Sequence, residues 1–186
     1  MRFEVEQKYP VGNLSDVQRK LVESGASFGP PVFQADTYFA HPARNFDETD
    51  EALRIRRVRT QNYVTYKGPK VDKTTKTRRE LEISLPGGEQ GAGDFAELLG
   101  ALGFTVVAEV RKRRRTSYLK WKGRDVEAVL DEVEELGTFV ELEMAADAES
   151  LDEVRDALLD MAGHLGLEDA QRRSYLELLL ESRGQA

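Results

Sequence analysis

The amino-acid sequence predicts an α+β protein built on a strongly curved or closed antiparallel sheet, charged on its inner face and covered by helices outside. Three observations carry this. In strand after strand, charged residues alternate with Leu, Ile, Val or Phe, as in Phe3-Glu4-Val5-Glu6-Gln7-Lys8-Tyr9. Successive side chains of a strand point to opposite faces, so Glu4, Glu6 and Lys8 share one face and Phe3, Val5 and Tyr9 the other. The charges also recur as compact same-face sets: Glu4-Glu6-Lys8, Arg54-Arg56, Lys67, Glu80-Glu82, Lys112-Arg114, Asp131 and Glu141-Glu143. A solvated face would mix Thr, Ser and Gln among them. Third, helices with apolar stripes need a surface to cover, and the apolar strand faces supply it. A one-sided sheet with its charges in water accounts for any single strand, but the whole set is better explained by an interior. Closure removes exposed edges. Unpaired ions inside lose several kcal/mol of hydration each, so water, metal and an anionic ligand are expected there.

The first strand puts two carboxylates and an ammonium on one surface. Like charges about 4 Å apart repel by roughly 4 kcal/mol at an effective dielectric near 20, so a cation between the acids is favoured. After it, Ser15 and Gln18 are spaced as a capping box, Leu14, Val17, Leu21 and Val22 form an apolar face, and Gly25 closes the helix. Past Pro30-Pro31 a strand runs through Asp36-Thr37-Tyr38-Phe39, and 41–51 reads as a loop. Leu53-Arg54-Ile55-Arg56 and Tyr63 to Lys67 form an antiparallel hairpin that Gly68-Pro69 ends. A polar connection from Lys70 to Thr77 leads to a second Glu-x-Glu strand, Glu80-Leu81-Glu82, with Leu81, Ile83 and Leu85 opposite. Asp94 and Glu97 cap a second helix with Phe95, Leu98, Leu99 and Leu102 as its stripe, ended by Gly103. Strand pattern resumes from Phe104 to Val110, passes through the basic run Arg111–Arg115, and reaches Trp121. After Gly123, Glu127, Val129 and Asp131 alternate, and Glu141-Leu142-Glu143 is a third Glu-x-Glu strand. Ser150 with Glu153 caps a third helix, with Leu151, Val154, Leu158, Met161 and Leu165 apolar, and Ser174 with Glu177 starts a short terminal one after Gly166. The unit of Glu-x-Glu strand, loop, capped helix and glycine thus occurs three times, which reads as pseudo-symmetry within one domain spanning 1–186.

Composition narrows the functional classes. The chain has 186 residues, 40% of them hydrophobic and 33% charged, with no cysteine and a formal charge of -7. Disulfides and thiolate chemistry are excluded, no apolar run approaches a membrane span, and the start runs straight into a charged strand without a signal peptide. The cytoplasm is the expected compartment. Net acidity disfavours nucleic-acid polymers, yet basic residues crowd between Arg54 and Arg124, which suits a small polyanion. In the Arg111–Arg115 run, alternation sends Arg111, Arg113 and Arg115 outward, against a nucleic-acid patch. His41 and His164 read as surface residues, and Tyr38 and Trp121 as core residues or as platforms for a base. Arg and Lys suit phosphate oxygens, and clustered carboxylates suit a hard divalent ion, magnesium or manganese. Together they describe a metal-bound polyphosphate.

Glu4-x-Glu6-x-Lys8 resembles the signature of the CYTH, or triphosphate tunnel metalloenzyme, superfamily. Leu53-Arg54-Ile55-Arg56, Thr65-Tyr66-Lys67-Gly68-Pro69, Arg79-Glu80-Leu81-Glu82, Val110-x-Lys112-x-Arg114, Leu130-Asp131, Gly137-x-Phe139-x-Glu141-x-Glu143 and Ser174-Tyr175 follow in the family's order. The resemblance implies a closed eight-stranded antiparallel tunnel with helices packed outside. It implies metal binding by Glu4, Glu6, Glu141 and Glu143 with Asp131, and triphosphate binding by Lys8, Arg54, Arg56, Lys67, Lys112 and Arg114. Arg79 would serve at a tunnel mouth and Arg172 or Arg173 would reach in from the terminal segment. Lys8, Arg56, Lys67, Glu80 and Glu82 would act in the chemical step. Tyr118 follows Arg114 one residue later than the family pattern, which leaves the register open between Arg114 and Arg115. Asp36-x-Tyr38-Phe39, Thr49 to Arg56 and Tyr66-Lys67-Gly68-Pro69 are most similar to the class IV adenylate cyclase branch, a lyase making cyclic AMP and pyrophosphate from ATP. The alternatives are a hydrolase of inorganic, thiamine or nucleoside triphosphate, and a triphosphate- or polyphosphate-binding module with little turnover. A homodimer is permitted by any apolar helix face left over.

Overall fold

The structure is a computed structural model that describes residues 3–70 and 78–185. The expected connection at 71–77 lies outside the described residues, as do the side chains of Phe3, Lys70, Arg78 and Arg79. Eight strands form one antiparallel sheet: β1 (Phe3–Pro10), β2 (Val32–Ala40), β3 (Ala52–Val58), β4 (Gln61–Lys70), β5 (Arg78–Leu85), β6 (Thr105–Trp121), β7 (Arg124–Val133) and β8 (Gly137–Ala146). Their order is β1-β8-β7-β6-β2-β3-β4-β5.

The predicted closed tunnel is instead a half-barrel, because β1 and β5 stand at opposite edges and are not paired among the described residues. Carboxylates stand on both edge strands, Glu4 and Glu6 on β1 and Glu80 and Glu82 on β5. Glu80 already helps raise the Glu4 pKa across the gap, second to burial, while Lys67 opposes it.

The alternation predicted for the strands sorts the molecule into two sides. On the convex side, Val5, Tyr9, Val126, Ala128, Leu130, Val140, Leu142 and Met144 pack against α1 (Leu14–Glu23) and α4 (Leu151–Leu165). A second convex cluster, Phe39 and Ile55 with Leu53 and Leu85, lies beneath Ala92, Phe95 and Leu99 of α3 (Gly88–Ala101). Leu81 and Ile83 belong to the same parity but lie beyond the helix and stay exposed. The strand, helix and glycine unit occurs three times as read from the sequence: β1, α1, Gly25; β5, α3, Gly103; β8, α4, Gly166.

Several boundaries differ from the sequence reading. Asn13, not Ser15, caps α1 by accepting from the Ser15 N–H. Helix α3 begins six residues before Asp94, at Gly88; Gly91 in its first turn sits against the Pro86 carbonyl, where a Cβ would lie 2.0 Å from the oxygen. A short helix, α2 (Phe46–Thr49), capped by Asn45, occupies the predicted loop. Strand β4 continues through Gly68-Pro69 by way of a register shift between Lys67 and Lys70. The suspected irregularity in Arg111–Tyr118 is absent, since β6 pairs continuously with β7 there; the shift lies between Tyr38 and Phe39.

The largest departure concerns α5 (Tyr175–Ser182). Its Ser174–Glu177 capping box is as predicted, but the helix packs on the concave side, not outside. At that end the inward positions are Tyr38, Ala108, Val110, Val133 and Phe139, an apolar floor that Tyr175 and Leu179 cover. Tyr38 is therefore core, and Trp121 packs on the convex cluster with its indole N–H donating to Asp160. Among the described residues no helix is long and apolar enough to cross a membrane.

Leu158 of α4 is fully enclosed in the convex core, whereas Ile83 is 63% exposed. Leu158→Ala is expected to lose about 2–5 kcal/mol, and Ile83→Ala to stay within about 0.5 kcal/mol of the parent. Urea titration of both variants checks this, and equal losses would contradict the assignment of the two positions.

Candidate functional site

The concave side gathers the residues that share parity with the charged sets. Paired strands place Glu6 opposite Glu143 and Glu143 opposite Glu127 in one row. Lys8 is opposite Glu141, Arg114 opposite Asp131, and Arg56 opposite Asp36, which in turn faces Val110. The face divides into a cationic half on β2, β3 and β6 and an acidic half on β1, β7 and β8.

Asp36 is the hub of the cationic half. Only 1% exposed, it accepts from Arg56 Nε at 2.6 Å and Nη2 at 2.7 Å, a two-pronged fork, from Lys112 Nζ at 3.2 Å and from Arg54 Nη1 at 3.4 Å. Burial alone would raise its pKa, but Lys112, Arg56 and Arg54 hold it well below the usual carboxylate range. Lys112 is lowered to about 7 because burial outweighs the attraction of Asp36. Nearby, Arg114 donates Nε to Asp131 Oδ1 at 2.8 Å and Nη2 to Asp131 Oδ2 at 2.5 Å and Glu141 Oε2 at 2.6 Å. Burial would lower the Arg114 pKa, yet Glu141 and Asp131 drive it well above the ordinary value. The register question is thereby answered: Arg114 faces the site, while Arg115 donates to Gln18 on α1.

The terminal segment meets this half. Tyr175 donates its hydroxyl to Asp131 Oδ2 at 2.9 Å, and the Lys8 ammonium lies 4.2 Å from the centre of its ring while donating to the Arg173 carbonyl at 2.5 Å. Burial and the charges of Glu141 and Asp131 push the Tyr175 pKa far up, so it stays a donor.

In the acidic half the carboxylates act chiefly on one another. Glu143 is pushed up to about 8 by burial and then by Glu4, Glu127, Glu6 and Glu141. Glu4 is raised by burial and then by Glu80, Glu127 and Glu6, against Lys67, and Glu127 in turn raises Tyr118, its opposite residue on β6, ahead of burial. An all-oxygen donor set whose carboxylates repel one another fits a hard divalent cation. Among the described residues no three acids converge on one point closely enough to ligate an ion, so the fit is electrostatic and not a preformed cage.

Of the residues singled out by sequence, Lys8, Arg54, Arg56, Lys112, Arg114, Asp131, Glu141, Glu143, Glu6 and Glu4 come together on this face. Lys67 pairs with Glu80 at the β5 edge, and Glu82 there accepts from Thr65 Oγ1 at 3.0 Å. The Arg173 guanidinium is engaged by Glu181 and Gln171, and the site receives its carbonyl instead. The Arg79 side chain lies outside the described residues. Sequence reasoning missed Asp36, Glu127 and Tyr175 as site residues. Parity signalled the first two, because Asp36 sits between Gln34 and Tyr38 on β2 and Glu127 shares its face with Asp131. Tyr175 was marked only as part of the Ser174-Tyr175 motif, with no role, since its place depends on α5 entering the concave side.

The chain resembles known proteins throughout its length. A model of the CYTH domain matches residues 2–175. A Methanocaldococcus jannaschii protein named "Putative adenylate cyclase" is 39% identical over 179 residues, covering 95% of this chain and 98% of that protein. The solved structure of the Pyrococcus horikoshii protein PH1819 is 40% identical, covers 97% of this chain and 99% of its own, and superposes with a TM-score of 0.83. A structure from Hippeastrum, described as a "putative adenylyl cyclase" with a dominant triphosphatase activity, shares the fold at 17% identity, with a TM-score of 0.65 and coverage of 100% and 97%.

Removing the Asp36 carboxylate strands three cations, so Asp36→Ala is expected to cost about 3–5 kcal/mol. Because its folded-state pKa is depressed, this contribution is complete above the ordinary value of 3.8 and is lost as pH falls below it toward the folded value. Denaturant melts of parent and variant should therefore differ at pH 7 and converge in strong acid; a constant gap would contradict the assignment. At Glu143 the sign reverses, since a raised pKa penalises the metal-free fold as pH climbs from 4.5 through about 8. Glu143→Gln should melt higher than the parent at pH 9 without metal, by about 2–4 °C for each kcal/mol relieved, and should lose most of the parent's stabilisation by magnesium.

Proposed function

The chain belongs to the CYTH family, and from that premise we propose that its concave face binds a triphosphate together with a divalent metal and acts as a class IV adenylate cyclase. One observation carries the reading: a single face divided into a cationic half, Arg54, Arg56, Lys112 and Arg114, and an acidic half, Glu4, Glu6, Glu127 and Glu143. Guanidinium forks and an ammonium match phosphate oxygens. Asp36 holds the fork of Arg56 from within, so the remaining guanidinium N–H groups are left aimed at an arriving anion. The cyclase assignment is supported by the name of the Methanocaldococcus jannaschii relative at 39% identity.

In this reading Lys8, Arg54, Arg56, Lys112 and Arg114 hold the triphosphate, with Lys67 at the open edge, while the Arg173 carbonyl fixes the Lys8 ammonium. Glu4, Glu6, Glu141 and Glu143, with Asp131 and Glu127 beside them, would hold magnesium or manganese. When bound, the metal neutralises charge that develops on phosphate oxygens. The chain's own cations would fix the α-phosphorus in line with the ribose 3′-hydroxyl, whose oxygen forms the new P–O bond as the bond from the α-phosphorus to the bridging oxygen breaks, pyrophosphate leaves with that oxygen, and the hydroxyl proton passes to water. Glu80 and Glu82 border the reacting groups from the β5 edge. Tyr175 keeps Asp131 oriented toward Arg114, so the cation that meets the phosphate is held from behind.

A second reading, hydrolysis of the terminal phosphate by water, is favoured by the Hippeastrum protein of the same fold that is described as a dominant triphosphatase. Both reactions use the same charged groups and differ in the nucleophile. Incubation of purified protein with ATP, inorganic triphosphate or thiamine triphosphate and magnesium or manganese separates them. Cyclic AMP with pyrophosphate is expected; free phosphate would support hydrolysis, and binding without product would leave a polyphosphate-binding module. Glu6→Gln should abolish metal-dependent turnover without unfolding the chain, and full activity would sink the metal assignment. Arg56→Ala should weaken triphosphate binding at least tenfold, on the order of the 1.5–3 kcal/mol of a charged hydrogen-bonded contact.

A further inference from the structure

The outer side of the sheet carries a second cluster of cations, away from the concave face. Between the two helix-covered clusters of the convex side, β6, β2 and β3 run side by side. Their outward residues near the β3–β4 turn are Phe33 and Ala35 on β2, Arg57 on β3 and Arg111 on β6, with Ala35 opposite both arginines. Together with Pro31 and Arg59 they line a cavity of about 490 Å³. That volume suits a small organic molecule.

Glu109 organises these cations as Asp36 does those on the other side. It accepts from Arg57 Nη2 at 2.8 Å, Arg111 Nε at 2.7 Å and Thr37 Oγ1 at 2.9 Å. Burial would raise its pKa, but the bonds from Arg111 and Thr37 and the charge of Arg57 hold it below the ordinary value, so it stays an anion. One carboxylate thus fixes two guanidinium groups, and each keeps further N–H donors. Arg59 adds a third guanidinium from the two-residue turn between Val58 and Gln61. Its φ of 55° is left-handed, a conformation that favours glycine. A strained arginine at the rim of a cavity points to a role for its side chain. Three guanidinium groups beside Glu109 and Glu134 leave the cavity net positive.

Forked N–H donors match phosphate oxygens. Phe33, 71% exposed, offers a flat apolar face beside them, on which a base can stack. The positive charge does not run on along β6, because Arg113 pairs with Glu132 at 3.5 Å and Arg115 donates to Gln18 at 3.0 Å. A confined cavity of this kind suits one nucleotide and not a polymer.

We propose that this cavity is an outer binding site for a nucleoside monophosphate, with Arg57, Arg59 and Arg111 on the phosphate and Phe33 against the base. It lies across the sheet from the concave face and is independent of the reaction proposed there. Ala35, Arg57 and Arg111 are the chain neighbours of Asp36, Arg56 and Lys112, so the two sites share three strand segments.

Calorimetry of the purified protein with AMP, GMP, UMP and inorganic phosphate tests it, the parent being expected to bind at least one nucleotide more tightly than phosphate. Arg59→Gly removes a cation and relieves the left-handed turn. It should melt no lower than the parent and still weaken the nucleotide about 3- to 10-fold, between the worth of an exposed ion pair and that of a charged hydrogen bond. Phe33→Ala should weaken the nucleotide and leave inorganic phosphate unchanged, while Arg56→Ala on the concave face should change neither. Failure of the parent to bind any of the nucleotides would overturn the site, as would inorganic phosphate bound equally well. A loss in Arg56→Ala with none in Arg59→Gly and Phe33→Ala would place the nucleotide on the concave face and overturn it too.

Discussion

A β-strand offers its side chains two directions only, and curvature makes those directions unequal. Once the sheet bends, one parity shares a narrow trough and the other spreads over a wide outer surface. In this chain the outer parity is apolar and meets three helices, while the inner parity is charged. Every other feature of the site follows from that sorting. The ions are crowded because they are on the concave side, and each must find a partner of opposite sign or remain partly solvated.

The two halves of the trough solve that problem differently. The cations are neutralised from within: Asp36 holds Arg56, Arg54 and Lys112, and Asp131 with Glu141 holds Arg114. A buried carboxylate in a bidentate fork keeps the guanidinium in one orientation, so an arriving anion meets donors already aimed. The acids instead repel one another, and Glu143 is held toward its protonated form.

Much of this was legible in the sequence because period-two patterning survives any detail of loop or cap. Glu4-Val5-Glu6, Leu53-Arg54-Ile55-Arg56 and Glu141-Leu142-Glu143 each fix a face without knowledge of their neighbours. Helix starts were less legible: Asp94 looked like a cap, but tight packing of Gly91 on Pro86 lets α3 begin a turn and a half earlier. Closure was not legible, since it depends on whether two edge strands far apart in sequence meet, which no local pattern encodes. Nor was the placing of α5. Its stripe of leucines fits either side of a sheet, and only the run of small and apolar inward residues at Ala108, Val110 and Val133 decides for the inside.

Pairing of β1 with β8 joins residues 3–10 to residues 139–146. The strand that carries Glu4, Glu6 and Lys8 is made well before β8, and most of the other elements lie between the two. Lys8 waits longer still for the Arg173 carbonyl. Such long-range pairing slows folding and leaves β1 with unpaired edges for most of that time. Charge on a strand edge disfavours pairing with a wrong partner, and Glu4, Glu6 and Lys8 give β1 that protection while β8 is still to come.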